Sequence, residues 1–390
     1  ENQQAKKGLE AIHEGNIAKV NRANLPQAQF DTVVSLYSNG QFKKALKFIE
    51  NLSKDYPNES LLHNVSGACY GELGQLEEAV KCYREAIAVK PIYYEAHYNL
   101  GVTLNKLGKL ESAVKSYEQA LLLKPDYAEA HSNLGNTLGK LGQLDAAIGS
   151  YKQAIAFKPD YVVAHNNIGV ALSELDLLDA AVKSYEQALA LKPDYAEAHT
   201  NLGNTLRKQG QLEAAVKSHE QALALKPDLP SAHYNLANTV KELGQYDAAI
   251  MHYKKALAIS PVFAEAQIAL GYIFKELGKI DAAIESYTRG LTLDPGNNLY
   301  WAGFSHILRN VRYLSYNETA SLLMLEALKK PTVHPKDICT SVISILRHHP
   351  KLIAVFETIR SDGISESTNI LIEQLASIPL LLQLMETCPI

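Results

Sequence analysis

The sequence predicts an all-α chain: eight 34-residue helical hairpins stacked as a superhelical solenoid, followed by an irregular helical C-terminal region. Three observations carry this. Prolines stand at 57, 91, 125, 159, 193, 227, 261 and 295, always 34 residues apart. In the units they frame, the eighth position is small in seven cases (Gly67, Gly101, Gly135, Gly169, Gly203, Ala237, Gly271), and the twentieth is always Ala, from Ala45 to Ala283. The twenty-fourth is usually Tyr, as at Tyr83, Tyr117, Tyr151, Tyr185, Tyr253 and Tyr287. A period of this length marks a supersecondary unit that buries its apolar faces only by stacking on its neighbours.

Each element follows from local rules. In unit 94–127, Leu100, Leu104 and Leu107 recur at helical spacing and define a first helix. Gly108 follows where a left-handed residue closes a helix. A second helix places Ala113, Tyr117, Ala120 and Leu121 on one face, and Pro125 interrupts it before the next unit. Small residues at positions eight and twenty allow the two axes to approach to about 8–10 Å. The units run 26–59, 60–93, 94–127, 128–161, 162–195, 196–229, 230–263 and 264–297. The first is the most degenerate, with Thr32 and Val33 where Leu and Gly are expected. It reads as a cap, with a short capping helix expected within residues 1–25.

Residues 298–390 lose the period but still read as five or six helices. Ser315 to Glu318 forms a capping box. Pro335 opens a helix that should end before Pro350, and Gly363 and Pro379 mark further breaks. The stretch from Ile378 to Met385 is too apolar for a free tail. It is expected either to fold back on this region or to continue into something further.

Composition narrows the function classes. With 47% hydrophobic and 21% charged residues the chain has material for a large core and is far from a disordered profile. A net charge of −4 supplies no global basic field for nucleic acid or a membrane surface. No apolar run reaches the roughly 18 residues of a spanning helix. Cys69, Cys82, Cys339 and Cys388 are too sparse for a zinc site or a disulfide framework, so a reducing, cytoplasmic setting is expected. No cofactor, metal or catalytic residue is expected either. Gly101 and Gly108-Lys109 are spaced wrongly for a phosphate loop, and GxGxxG, HExxH and GxSxG do not occur.

The 34-residue pattern resembles the tetratricopeptide-repeat (TPR) family over about 70% of the chain. The resemblance implies an interaction scaffold that takes a protein or extended peptide in a concave groove lined by the first helix of each hairpin. Position six of that helix is Asn in five successive units: Asn99, Asn133, Asn167, Asn201 and Asn235. Position nine adds Asn136, Asn204 and Asn238. A carboxamide both donates and accepts, so a row of them can hold a peptide backbone without reading its side chains. The row looks like the asparagine ladder in the TPR groove of O-linked N-acetylglucosaminyltransferase. Flanking Tyr98, Tyr234, Lys106, Lys140, Arg207, Lys208 and Lys241 are expected to add specificity.

Two other patterns resolve less sharply. His63, His97, His131, His165, His199 and His233 all occupy position four. Helices one unit apart are too distant for neighbours to share an ion near 2.1 Å from each nitrogen, so packing is the expected role. The region after the repeats is similar to the segment that follows TPR arrays in bacterial multidomain methyltransferases or sulfotransferases. Tyr300 to Phe304, Leu325 to Pro331 and Ile378 to Ile390 carry that resemblance. It implies an alternative in which this chain recruits substrate for a catalytic domain beyond residue 390. Self-association of the array is a third expectation.

Overall fold

A computed structural model describes residues 25–309, 311–313, 315–362, 373 and 375–387. The expected capping helix, the break at Gly363 and Cys388 therefore lie outside the described residues, apart from Leu25. Twenty-one helices and no strand occur among the described residues. They fall into two compact units, divided between Gln209 and Gly210.

The first unit holds α1 (Gln27–Ser38), α2 (Phe42–Asp55), α3 (Ser60–Glu72), α4 (Leu76–Val89), α5 (Tyr94–Lys106), α6 (Leu110–Leu123), α7 (Ala128–Lys140), α8 (Leu144–Phe157), α9 (Val162–Glu174), α10 (Leu178–Leu191) and α11 (Ala196–Lys208). Hairpins close because a glycine after the first helix takes a left-handed φ, as Gly108 does at +71°. The hairpin of α9 and α10 departs from this: Asp176 occupies the turn with φ 59°.

Packing within a hairpin depends on one repeated interlock. The position-eight glycine of the first helix lies under the position-twenty-four tyrosine ring of the second. A β-carbon at Gly135 would stand 2.6 Å from the Tyr151 ring, and one at Gly169 equally close to Tyr185. No real β-carbon contact is that short. The position-twenty alanines, Ala79, Ala113, Ala147 and Ala181 among them, are fully buried at the same crossing. A larger residue at either place would hold the helices apart.

The second unit holds α12 (Leu212–Leu225), α13 (Pro230–Glu242), α14 (Tyr246–Ile259), α15 (Ala264–Glu276), α16 (Ile280–Leu293), α17 (Asn298–Leu308), α18 (Glu318–Leu328), α19 (Pro335–Leu346), α20 (Pro350–Asp362) and α21 (Pro379–Thr387). The repeat geometry persists into α17. Trp301 stands 34 residues after the position-four Gln267, and its indole Nε1 donates to the Pro295 carbonyl at 2.9 Å. His97, His131, His165, His199 and His233 each bond the carbonyl of the proline six residues before them in the same way. Regularity ends only after Arg309, because α18 starts too late to serve as the second helix of a 34-residue unit.

The C-terminal helices share one core with the last repeat, a cluster in which Tyr287, Trp301, Phe304, Met324, Ile338, Ile345, Ile378 and Leu380 are buried together. The apolar ending thus folds back, although Met385 stays 63% exposed. The cap of α18 is Asn317 rather than Ser315: its Oδ1 accepts from the Ala320 amide at 2.9 Å. Pro335 and Pro379 each begin a helix, where a missing amide hydrogen costs nothing.

Two substitutions test the interlock and the exception. Gly135→Ala should destabilise the chain by about 1–3 kcal/mol through overpacking, whereas Gly149→Ala, in open space on α8, should stabilise it by about 0.5–1 kcal/mol. Equal shifts of the urea midpoint would contradict the interlock. Asp176→Gly should raise stability by roughly 0.5–1 kcal/mol by relieving the left-handed strain, read from the same midpoints.

Candidate functional site

In the first unit, α5, α7 and α9 stand side by side and their facing surfaces enclose a pocket of about 400 Å³. Five residues expected at the site meet there: Lys106, Asn133, Asn136, Lys140 and Asn167. Neighbouring first helices are joined by their own carboxamides. Asn133 Nδ2 donates to the Tyr98 hydroxyl at 2.9 Å, and Asn167 Nδ2 donates to Asn136 Oδ1 at 2.8 Å. Asn136 Oδ1 also accepts from the Tyr151 hydroxyl at 2.7 Å, and Asn167 Oδ1 accepts from Asn166 at 3.1 Å.

These bonds orient the amides and decide what remains for a ligand. Asn133 keeps its Oδ1 as a free acceptor, and Asn136 keeps its Nδ2 as a free donor, among the described residues. Asn167 is engaged at both ends. One acceptor and one donor three residues apart on α7 match the N–H and C=O of a peptide chain. Lys140 Nζ donates to Asn105 Oδ1 at 2.7 Å, which bends its ammonium toward α5.

The matches to known families begin at Gly67. The family described as TPR repeat matches residues 67–108, 103–142, 138–176, 178–208, 203–244 and 240–278, and the family described as Tetratricopeptide repeat matches 264–297. Together they cover more than half of the chain. The chain belongs to the tetratricopeptide-repeat family.

Among curated relatives, the peroxisomal targeting signal receptor of Kluyveromyces lactis is 32% identical over 75 residues, 19% of this chain and 13% of that protein. The receptor of Candida glabrata is 31% identical over 86 residues, 22% of this chain and 15% of that one. The matched stretch thus spans less than a sixth of the length of either relative. Among solved structures, the APC/C hetero-tetramer Cut9–Hcn1 superposes with a TM-score of 0.53 at 16% identity, covering 72% of this chain and 55% of that one. That likeness is one of fold.

The remaining expected site residues of this TPR array are placed differently. Asn99 and Asn201 donate to Asn64 and Asn166 on the preceding first helices, at 3.2 and 3.1 Å. Tyr98 packs against the rings of Tyr117 and Tyr127, and burial raises its hydroxyl pKa, so it supports the site from beneath. On α11, Asn204 Oδ1 is buried without a hydrogen-bond partner, Arg207 is half-buried, and Lys208 Nζ lies 3.4 Å from the Ser173 carbonyl. In the second unit, Asn238 accepts from the Tyr253 hydroxyl at 2.6 Å and Tyr234 lies among the rings of Tyr253 and Phe263. There Asn235 is half-buried and Lys241 Nζ sits 5.6 Å from the Tyr272 ring. The row of asparagines is therefore no uniform ladder: most of its members hold adjacent helices together.

Sequence reasoning passed over Val102, Asn105, Val170 and Glu174, which also line the pocket. Positions nine and thirteen follow position six by three and seven residues and so share its helical face, while Asn105, at position twelve, stands round the helix beside Lys106.

The histidines turn their Nε2 to a proline carbonyl, and no group of three or more His, Cys, Asp or Glu residues among the described ones is placed to hold a metal ion. His233 differs in also meeting His252, Nδ1 to Nδ1 at 3.1 Å. Burial, then the neighbouring His233 and Lys255, lowers the His252 pKa to about 4. The unfolded chain takes that proton first, near pH 6.5, so stability should fall as pH drops from about 6.5 to 4. His252→Asn should lose less stability than the parent between pH 7 and pH 4.5; parallel losses would refute the assignment.

Proposed function

We propose that this chain is an interaction scaffold whose first unit holds an extended peptide segment in the pocket formed by α5, α7 and α9. The observation that carries the reading is the convergence there of the free Asn133 Oδ1 and the free Asn136 Nδ2, each fixed in direction by a bond to the scaffold. Pre-oriented amides bind a backbone without first losing rotamer freedom. The reading treats residues 26–297 as one repeat array, with 298–390 closing its end. It also agrees with the curated relatives being receptors for a targeting signal.

Magnitudes set what this contact can do. Two neutral hydrogen bonds contribute about 1–3 kcal/mol together, against roughly 8 kcal/mol for a micromolar complex. Backbone holding therefore supplies register, while side chains beside the asparagines supply most of the affinity. The transferase alternative gains no site in this chain: Trp301, Phe304, Ile378 and Leu380, which carry its resemblance, are core residues.

Asn136→Asp tests the reading. It keeps the oxygen that accepts from Tyr151 and Asn167 and removes the free donor. Two uncharged peptides of unrelated sequence should each bind about threefold to tenfold more weakly, by similar factors, in a fluorescence titration. A loss confined to one of them would argue for side-chain recognition instead.

A further inference from the structure

The pocket carries charge in a fixed order. Position thirteen of three successive units is Lys106, Lys140 and Glu174, on α5, α7 and α9, and all three line the pocket. Each is exposed, and none makes an ion pair among the described residues. The bond from Lys140 Nζ to Asn105 Oδ1 draws the second ammonium toward α5 and hence toward the first. Two cations gather at one end while a lone carboxylate stands at the other. Water and salt screen such charges, but a ligand seated between the helices displaces part of that solvent.

We infer that the pocket selects a peptide bearing an acidic side chain at the Lys106–Lys140 end and a basic side chain at the Glu174 end. This rests on the peptide-holding reading above and adds the ligand's charge pattern to it. Spacing follows from geometry. Neighbouring first helices lie about 8–10 Å apart, and an extended chain advances about 3.3–3.6 Å per residue. One to one and a half helix spacings then correspond to roughly three or four residues, so the preferred segment reads acidic, two or three residues of any kind, basic. Either chain direction satisfies it, because the scaffold reads charge at two points. Asn133 and Asn136 line the same pocket on α7, seven and four residues before Lys140, and are the groups that would hold the backbone of such a segment.

The test uses the full chain and four fluorescein-labelled peptides of about twelve residues, alike except at two positions four apart. Those positions carry Glu and Lys, Glu and Glu, Lys and Lys, or Gln and Gln. The Glu/Lys peptide should bind about three- to tenfold more tightly than the Gln/Gln peptide at low salt, with the advantage shrinking toward unity at about 1 M salt. Glu174→Lys should move the preference to Glu/Glu, and Lys106→Glu with Lys140→Glu should move it to Lys/Lys. Unfolding midpoints of both variants, compared with the parent, check that these exposed substitutions leave the fold intact. If all four peptides bind the parent equally, the charge selection is overturned while backbone holding stands. If none binds, the holding reading fails and the inference with it.

Discussion

The contact on which everything else depends is a tyrosine ring lying on a glycine. Where Gly67, Gly101, Gly135 and Gly169 meet Tyr83, Tyr117, Tyr151 and Tyr185, no space remains for a single additional carbon. That closeness fixes the crossing of the two helices in these four hairpins and so the place of their first helices beside one another. It also sets the direction of the tyrosine hydroxyl. Tyr151 reaches past the glycine to Asn136 and orients its amide. The residue that closes the hairpin thus also prepares the pocket.

The same economy appears between units. Asn64, Asn99, Asn166 and Asn201 link adjacent first helices amide to amide. Asn133 is tied to Tyr98 and Asn136 to Asn167. A buried or half-buried carboxamide with one end satisfied by its neighbour is held in a single orientation, which is what a binding group requires. Structural and ligand-facing roles are two ends of the same side chains. The position-four histidines show a purely structural version, since Trp301 makes their hydrogen bond to the preceding proline carbonyl with an indole.

Much of this was legible in the sequence because the repeat states each constraint several times. Glycine, alanine, tyrosine and proline at fixed positions leave one helical arrangement that satisfies them all. The pocket was half legible. Position-six and position-nine asparagines were visible as a row, but which would bond to the scaffold depends on the position-five residue of the preceding repeat, whose type varies, as at Asn64, Tyr98 and Asn166. Glu174 was missed because a glutamate at the end of a helix looks like ordinary solvated surface until its two lysine counterparts are seen beside it. The C-terminal helices were legible only from their prolines and caps. With no repeated counterpart for Met324 or Ile338, their burial in one core could not be read from spacing.

Peptide holding in this scaffold depends most directly on the side-chain amides of α7. The decisive measurement is a nuclear magnetic resonance titration of the chain with two unrelated peptides, following the carboxamide resonances of Asn133, Asn136 and Asn167. The account predicts that both peptides shift the Asn133 and Asn136 signals strongly and the Asn167 signal less, since Asn167 is already bonded at both ends. Peptides that bind while leaving the Asn133 and Asn136 amides unmoved would contradict it.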